Sequence, residues 1–231
     1  MIRANLGLVT ETIEKACEKA KRDPGSVRVL AVSKNFPREA IDEARTCGVL
    51  YFGENRVQEA RKKWEDRVFQ GARLALIGHL QTNKASLAAR IFDEIHSVDS
   101  VRVAQTLSKF SQQYRNEALP VYVQVNIGID PKKHGCLPEE TCKLAREILS
   151  LDGIKLAGLM TIAPVSRDAE LPRKAFRELR ILRDNLLADG IPEDYLKELS
   201  MGMSSDYHLA IEEGATVVRL GTALFGPRIY K

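Results

Sequence analysis

Two hydrophobic periods take turns along this chain. Leu6, Val9, Ile13 and Ala16-Cys17 recur at the spacing of one helical face, which predicts an amphipathic helix over about Ile2 to Arg22. Short apolar runs bounded by turn residues follow, and they predict strands at Arg28–Val32, Val49–Phe52, Leu74–Ile77, Glu94–Val98, Val121–Ile127, Leu156–Met160, Leu196–Met201 and Val217–Leu220. Helical periodicity returns between them over Arg38–Cys47, Asn55–Phe69, Asn83–Ile91, Val101–Tyr114, Pro138–Leu149, Ala169–Ala188 and Ser205–Glu213. About eight strand–helix units in 231 residues predict an α/β fold. The expected form is a single (β/α)8 TIM barrel over residues 1–231, with one extra N-terminal helix. A doubly wound open sheet is the alternative. No Pro/Gly/Ser linker, low-complexity tract or short repeat divides the chain.

Composition narrows the classes. Hydrophobic residues make up 44% and charged residues 29%, an ordinary globular balance. The net charge of +4 comes from basic residues interleaved with acids, as in Arg38-Glu39 and Arg177-Glu178, which reads as solvated helix faces and not a nucleic-acid stripe. Cys17, Cys47, Cys136 and Cys142 form no C-x-x-C pair and have no histidine spacing that suits zinc, so no metal is expected and a reducing, cytoplasmic setting is the default. Met1 to Asn5 shows no signal-peptide apolar region, and no run approaches membrane-spanning length. With no apolar appendage, a monomer is the expected state.

A barrel brings the C-terminal ends of its strands to one mouth, so distant residues become neighbours. Reading those ends gives Lys34, Gly53-Glu54-Asn55, Gly78-His79-Leu80-Gln81, Ser97-Val98-Asp99, Asn126, Met160-Thr161, Met201 to Ser205, and Arg219 through Gly221-Thr222. Lys34 ends the apolar run Val29 to Ser33, and an amine there can form an imine with an aldehyde. Surface lysines after strands are common, so its neighbours must decide. Gly202 to Asp206 after the seventh strand and Gly221-Thr222-Ala223 after the eighth lie where this fold usually binds phosphate; capping of the next helix by Ser204, Ser205 or Asp206 is the alternative. An Asp206 carboxylate would repel a phosphate, so its side chain is expected to turn away. Arg219 sits in an apolar strand and must find acceptors, either a carboxylate such as Glu54 or a ring nitrogen or anion in the pocket. His79 and His96 read as packed histidines before bases, His134 and His208 as peripheral, and Trp64 as a packing residue. No paired-carboxylate spacing, nucleophile elbow or P-loop is present.

These segments also carry a resemblance. Ala31-Val32-Ser33-Lys34, Phe52-Gly53-Glu54-Asn55 with Val57-Gln58-Glu59, Ile77 to Lys84, Ile95 to Asp99, Val123 to Ile127, Gly158-Leu159-Met160, Leu199 to Ser204 and Val218 to Gly226 resemble, in order, the signatures of the pyridoxal 5'-phosphate (PLP) homeostasis family. The match runs from about Val29 to Tyr230. It implies a fold-type III PLP-binding barrel like the alanine racemase N-terminal domain, with PLP held by Lys34 as an internal aldimine. It further implies that Ser204, Gly221 and Thr222 bind the phosphate, that Arg219 faces the pyridine nitrogen and that Asn55 lines the ring's surroundings. Two positions depart: Arg56 stands where the family commonly has Tyr, and Gly128 where it commonly has Ser.

An arginine at the ring nitrogen can only donate, so that nitrogen stays an unprotonated acceptor and the electron sink is weak. The implied function is intracellular PLP homeostasis without strong catalysis and with no catalytic residue; PLP-dependent apoenzymes or amino acids are the implied partners. A PLP-dependent racemase or lyase of low activity is the runner-up. Racemases of this fold take a second base from a further β-domain, for which the chain ending at Lys231 leaves no room, and Tyr207 and Tyr230 carry no assigned role. An aldolase-type barrel with Lys34 attacking a sugar-phosphate carbonyl is the more distant reading.

Overall fold

Alternation along the first strand sets the plan of the molecule: Leu30 and Val32 join the barrel's inner apolar cluster, while Ala31 packs in the outer one. The structure is a computed structural model and describes residues 1–64 and 71–227. Strands β1 (Arg28–Val32), β2 (Tyr51–Glu54), β3 (Arg73–Leu76), β4 (Glu94–Val98), β5 (Leu119–Gln124), β6 (Ile154–Met160), β7 (Glu198–Met203) and β8 (Val217–Leu220) form a closed barrel in sequence order. All pairings are parallel, and β1 closes on β8 with Arg28 opposite Val217 and Ala31 opposite Leu220. That closure rules out the open sheet.

Helices α1 (Ile2–Ala20), α2 (Arg38–Thr46), α3 (Val57–Trp64), α4 (Ala85–Ile91), α5 (Val101–Tyr114), α6 (Thr141–Leu149), α7 (Glu170–Ala188), α8 (Tyr207–Glu212) and α9 (Thr222–Phe225) accompany the strands. The helix expected over Asn55–Phe69 begins at Val57, with Asn55 and Arg56 still in the loop, and is described to Trp64; residues 65–69 lie outside the described residues. The predicted start at Pro138 is a 3-10 turn, Pro138–Glu140, leading into α6. Trp64 is buried against Phe52 as a packing residue, with ring centroids 5.3 Å apart.

The extra helix α1 buries Ile2, Val9, Ile13, Ala16 and Cys17 and ends at Lys21, which turns left-handed at φ 54°. Specific polar links hold it. Asn5 Nδ2 donates to the Leu224 carbonyl at 2.9 Å, and Arg22 reaches the carbonyls of Ile211 and Ala215 at 2.7 and 2.9 Å. Most of the apolar core lies between the strands and helices; the inner apolar cluster is small, comprising Leu30, Val32, Ala75 and Val217 with Tyr51 and Ile77.

One glycine is fixed by close backbone approach. A Cβ on Gly158 of β6 would sit 1.9 Å from the carbonyl oxygen of Glu198 on β7, and neither backbone can yield without breaking the pairing. Gly158→Ala is expected to lower unfolding free energy by about 1–3 kcal/mol, the usual range for overpacking. A urea melt that leaves the midpoint at the wild-type value would show that β6 and β7 do not approach this closely.

Candidate functional site

All six candidate residues line one cavity. Lys34, Asn55, Ser204, Arg219, Gly221 and Thr222 surround a volume of about 500 Å³ at the C-terminal mouth, with Val32, Ile77, Gly78, Ile162, Met203 and Ser205 completing the wall. The volume is within the range of small-ligand pockets, roughly 300–1,000 Å³. Apolar side chains share the wall with one amine, one guanidinium, one amide and three hydroxyls, which suits a flat ring carrying one anionic end.

The lysine is held by its surroundings. Ser33, fully buried, donates through Oγ to Glu54 Oε1 at 2.8 Å, and Lys63 Nζ bridges the Ser33 carbonyl at 2.8 Å and Glu54 Oε1 at 3.0 Å. Asn35, directly after Lys34, adopts φ 63°, and its N–H donates to Glu59 Oε1 at 2.9 Å. Burial drives the Glu54 carboxyl up in pKa against the opposing pull of Lys63 and Ser33. For Glu59, burial is outweighed by Lys63 and the Asn35 N–H, and its pKa falls. The Ser33–Lys34–Asn35 turn is thus gripped by two carboxylates and a second lysine, none of which the sequence singles out for this task.

Arg219 corrects one expectation and extends another. Its side chain is 4% exposed, and Glu54 is not its partner. Nη1 donates to the Ser200 carbonyl at 2.6 Å and to Ser200 Oγ at 3.0 Å, and Nη2 donates to the Thr161 carbonyl at 2.8 Å. Burial lowers its pKa to about 10, with Asp206 and Tyr51 opposing, so it stays cationic at neutral pH.

Arg219 and Glu94 together direct a chain of donors. The guanidinium can only donate and the Glu94 carboxylate can only accept, so Ser200 Oγ accepts from Arg219 and, with His96 Nε2–H turned to Glu94, gives its own hydrogen to His96 Nδ1, 2.9 Å away. His96 is then the neutral Nε2–H tautomer, donating to Glu94 Oε2 at 3.2 Å. Glu94 also accepts from Tyr51 and Arg73. Arg28 continues the network to Glu198 at 3.1 Å and Tyr122 at 3.3 Å. Burial depresses the His96 pKa, in keeping with that tautomer. For Glu94 burial is overcome by its hydrogen bonds and nearby positive charge, which hold it down at about 2.

At the anion end, Ser204 Oγ accepts from the N–H groups of Gly221 at 3.2 Å and Ala223 at 3.1 Å, tying the loop after β7 to the turn after β8. Asp206 turns back to β7, accepting from Met203 N at 2.6 Å, and its side chain does not cap α8. Neither Ser204 nor Asp206 takes the capping alternative. Asn55 Oδ1 is buried with no hydrogen-bond partner among the described residues, an acceptor for a donor on a bound molecule. Gly78 lets the loop after β3 touch the end of β2, since a Cβ there would lie 2.1 Å from the Asn55 carbonyl oxygen.

Barrel, lysine and paired loops define the class: the family model for the alanine racemase N-terminal domain matches residues 5–228. A pyridoxal phosphate homeostasis protein of Aquifex aeolicus is 42% identical over 229 residues, covering 97% of each chain. That of Escherichia coli is 37% identical, covering 99% of this chain and 97% of its own. The structure of PipY from Synechococcus elongatus with PLP bound superposes with a TM-score of 0.84 at 36% identity, covering 98% of this chain and all of that one. The chain belongs to the pyridoxal phosphate homeostasis family. A Clostridium difficile alanine racemase shares the fold at 18% identity and a TM-score of 0.74, with this chain covering 56% of it.

The interior network predicts an acid-side loss of stability. A histidine buried neutral binds fewer protons than in the unfolded chain, so its contribution falls as pH drops below the unfolded value near 6.5. Glu94 adds a second loss between its unfolded value of 4.5 and about 2. Unfolding free energy should decline from pH 7.5 to 5.5 with a slope of at most about 1.4 kcal/mol per pH unit, the limit for one proton. His96→Gln should flatten that interval; an unchanged slope would mean His96 is not held neutral.

Proposed function

We propose that this chain binds PLP through a reversible carbon–nitrogen double bond to the Lys34 amine, and that it stores or delivers the cofactor without strong catalysis. The single observation that carries the reading is the convergence of Lys34, Arg219 and the Ser204–Gly221–Thr222 cradle on one cavity. The donor set fits the group: an amine for an aldehyde, N–H and hydroxyl groups for a phosphate, and a permanent donor for a ring nitrogen. The orphaned Asn55 Oδ1 supplies a further acceptor.

Bound PLP would supply an electrophilic aldehyde and an electron-withdrawing ring. Arg219 would limit that withdrawal, because a guanidinium beside the ring nitrogen could only donate to it. Among the described residues, the cavity wall holds no carboxylate, imidazole, thiol or phenol to move a second proton. Tyr51 and Tyr122 are committed to the interior network, Tyr207 is buried on α8, and Tyr230 lies outside the described residues. These features support a carrier over a two-base racemase. PLP-dependent apoenzymes or free amino acids are the proposed recipients, and the proposed setting is a monomer in the cytoplasm; the cysteines are free, and no described helix is long and apolar enough to cross a membrane.

Wild-type protein incubated with PLP and desalted should show a near-visible band that borohydride fixes on the Lys34 peptide, and Lys34→Ala should lack both. Colourless protein with no adduct there would hand the site to a sugar-phosphate carbonyl. With saturating amino acids, α-proton exchange with solvent should stay near the uncatalysed rate; rapid exchange would establish the racemase or lyase reading. Ser204→Ala should weaken PLP retention about tenfold, the worth of one hydrogen bond. Retention at the wild-type level would take Ser204 out of the cradle.

A further inference from the structure

A second site is assembled beside the main cavity from residues that sequence spacing keeps apart. His79 follows β3, Asp99 follows β4, and His134 lies in the loop after β5. One ligand atom from each lies within 4.8 Å of the others. His79 Nδ1 sits 3.1 Å from Asp99 Oδ2, and the two imidazole rings stack with centroids 3.8 Å apart and 7° between planes.

Three further observations point to a cation. The Asp99 side chain is 13% exposed, yet among the described residues no lysine or arginine pairs with it; its partner is the His79 imidazole. A partly buried carboxylate beside two imidazoles is a ready ligand for a metal cation. Both histidine backbones are also anchored by buried side chains: Ser97 Oγ donates to the Gly78 carbonyl at 2.7 Å, and Gln124 Nε2 donates to the His134 carbonyl at 2.9 Å. The rings themselves are exposed.

We propose that His79, Asp99 and His134 bind a divalent transition-metal ion of the zinc class, with an open coordination position. Two imidazoles and one carboxylate are a recognised donor set for such ions. Zinc bonded to nitrogen at about 2.0–2.1 Å holds adjacent donors roughly 3.3 Å apart, the spacing His79 and Asp99 already have. His134 completes the set by tilting out of its stack. Cavities of about 200 and 630 Å³ adjoin the pair of histidines, and Lys132, Lys133, Arg56 and Lys84 line them. That cationic lining favours an anionic group, a carboxylate or phosphate, on the open position. The ion would neutralise Asp99 at a wall shared with the main cavity through Gly78 and Ile162.

The test is titration of untagged, chelator-stripped chain with Co2+, followed by displacement with Zn2+. One Co2+ per chain should bind with the intense visible bands of a four-coordinate ion, and Zn2+ should erase them. His79→Ala and His134→Ala, both at exposed rings, should each weaken binding by more than about tenfold, the scale on which even outer-shell partners act. Asp99→Asn should do the same, while His208→Ala should leave it unchanged. Absence of stoichiometric binding overturns the proposal. So does binding that survives both histidine substitutions, which would mark an adventitious ion only. The result should be the same with and without PLP, so it stands or falls apart from the Lys34 reading.

Discussion

A guanidinium buried in the middle of a barrel dictates much of what surrounds it. Arg219 is 4% exposed and cannot shed its charge at neutral pH, so acceptors must come to it. The Ser200 carbonyl within β7, the Thr161 carbonyl just after β6 and Ser200 Oγ do so, and the hydrogens of Ser200 and His96 have one consistent direction, ending on Glu94. The interior of this barrel is accordingly not the stack of branched apolar layers usual for the fold. Its apolar cluster is small, and Tyr51, Glu94, His96, Tyr122, Glu198 and Arg28 form a polar network from the base to the mouth. Such a network stabilises when every member is satisfied and costs heavily when one is lost.

The mouth follows the same logic of paired loops. Ser204 joins the loop after β7 to the turn after β8, Glu59 on α3 holds the left-handed Asn35 beside Lys34, and Ser97 of β4 holds the loop after β3. Each link spans two βα units, so the cavity's geometry is a property of the closed barrel, not of any single loop. Rigid positioning matters most where a lysine must meet a ligand at a fixed angle.

The sequence made the barrel legible because strand and helix periods are clean here, and β1, β4 and β8 fall within the residues that alternation picks out. Site residues were legible for a geometric reason: in a barrel, position at a strand's end is position at the mouth. Partnerships were not. Arg219 could as well have met Glu54, since both stand at strand ends near the mouth. The structure gives Glu54 to Lys63, one helical element away, because α3 brings that amine over the end of β1. Asn55 Oδ1 and the neutral state of His96 depend on hydrogen-bond directions that no spacing encodes. His79, read as a packed histidine, and His134, read as peripheral, were not linked because 55 positions of chain separate them, although their rings stack at 3.8 Å.

The proposed carrier role fits how the site distributes its charge. A catalyst of amino-acid chemistry wants a strong electron sink and two proton-moving groups facing each other across the ring. This cavity is lined by a permanent donor, Arg219, proposed to face the ring nitrogen, while the nearby carboxylates lie beside the Lys34 turn, where Glu54 and Glu59 meet Lys63. Those carboxylates set the position of Lys34 and the turn after it, not the fate of a substrate's α-proton. What such an arrangement does well is hold an aldehyde in a bond that another amine can exchange. In the proposed carrier, retention and release would depend on the same few contacts, those of Lys34 and of the Ser204–Gly221–Thr222 turn.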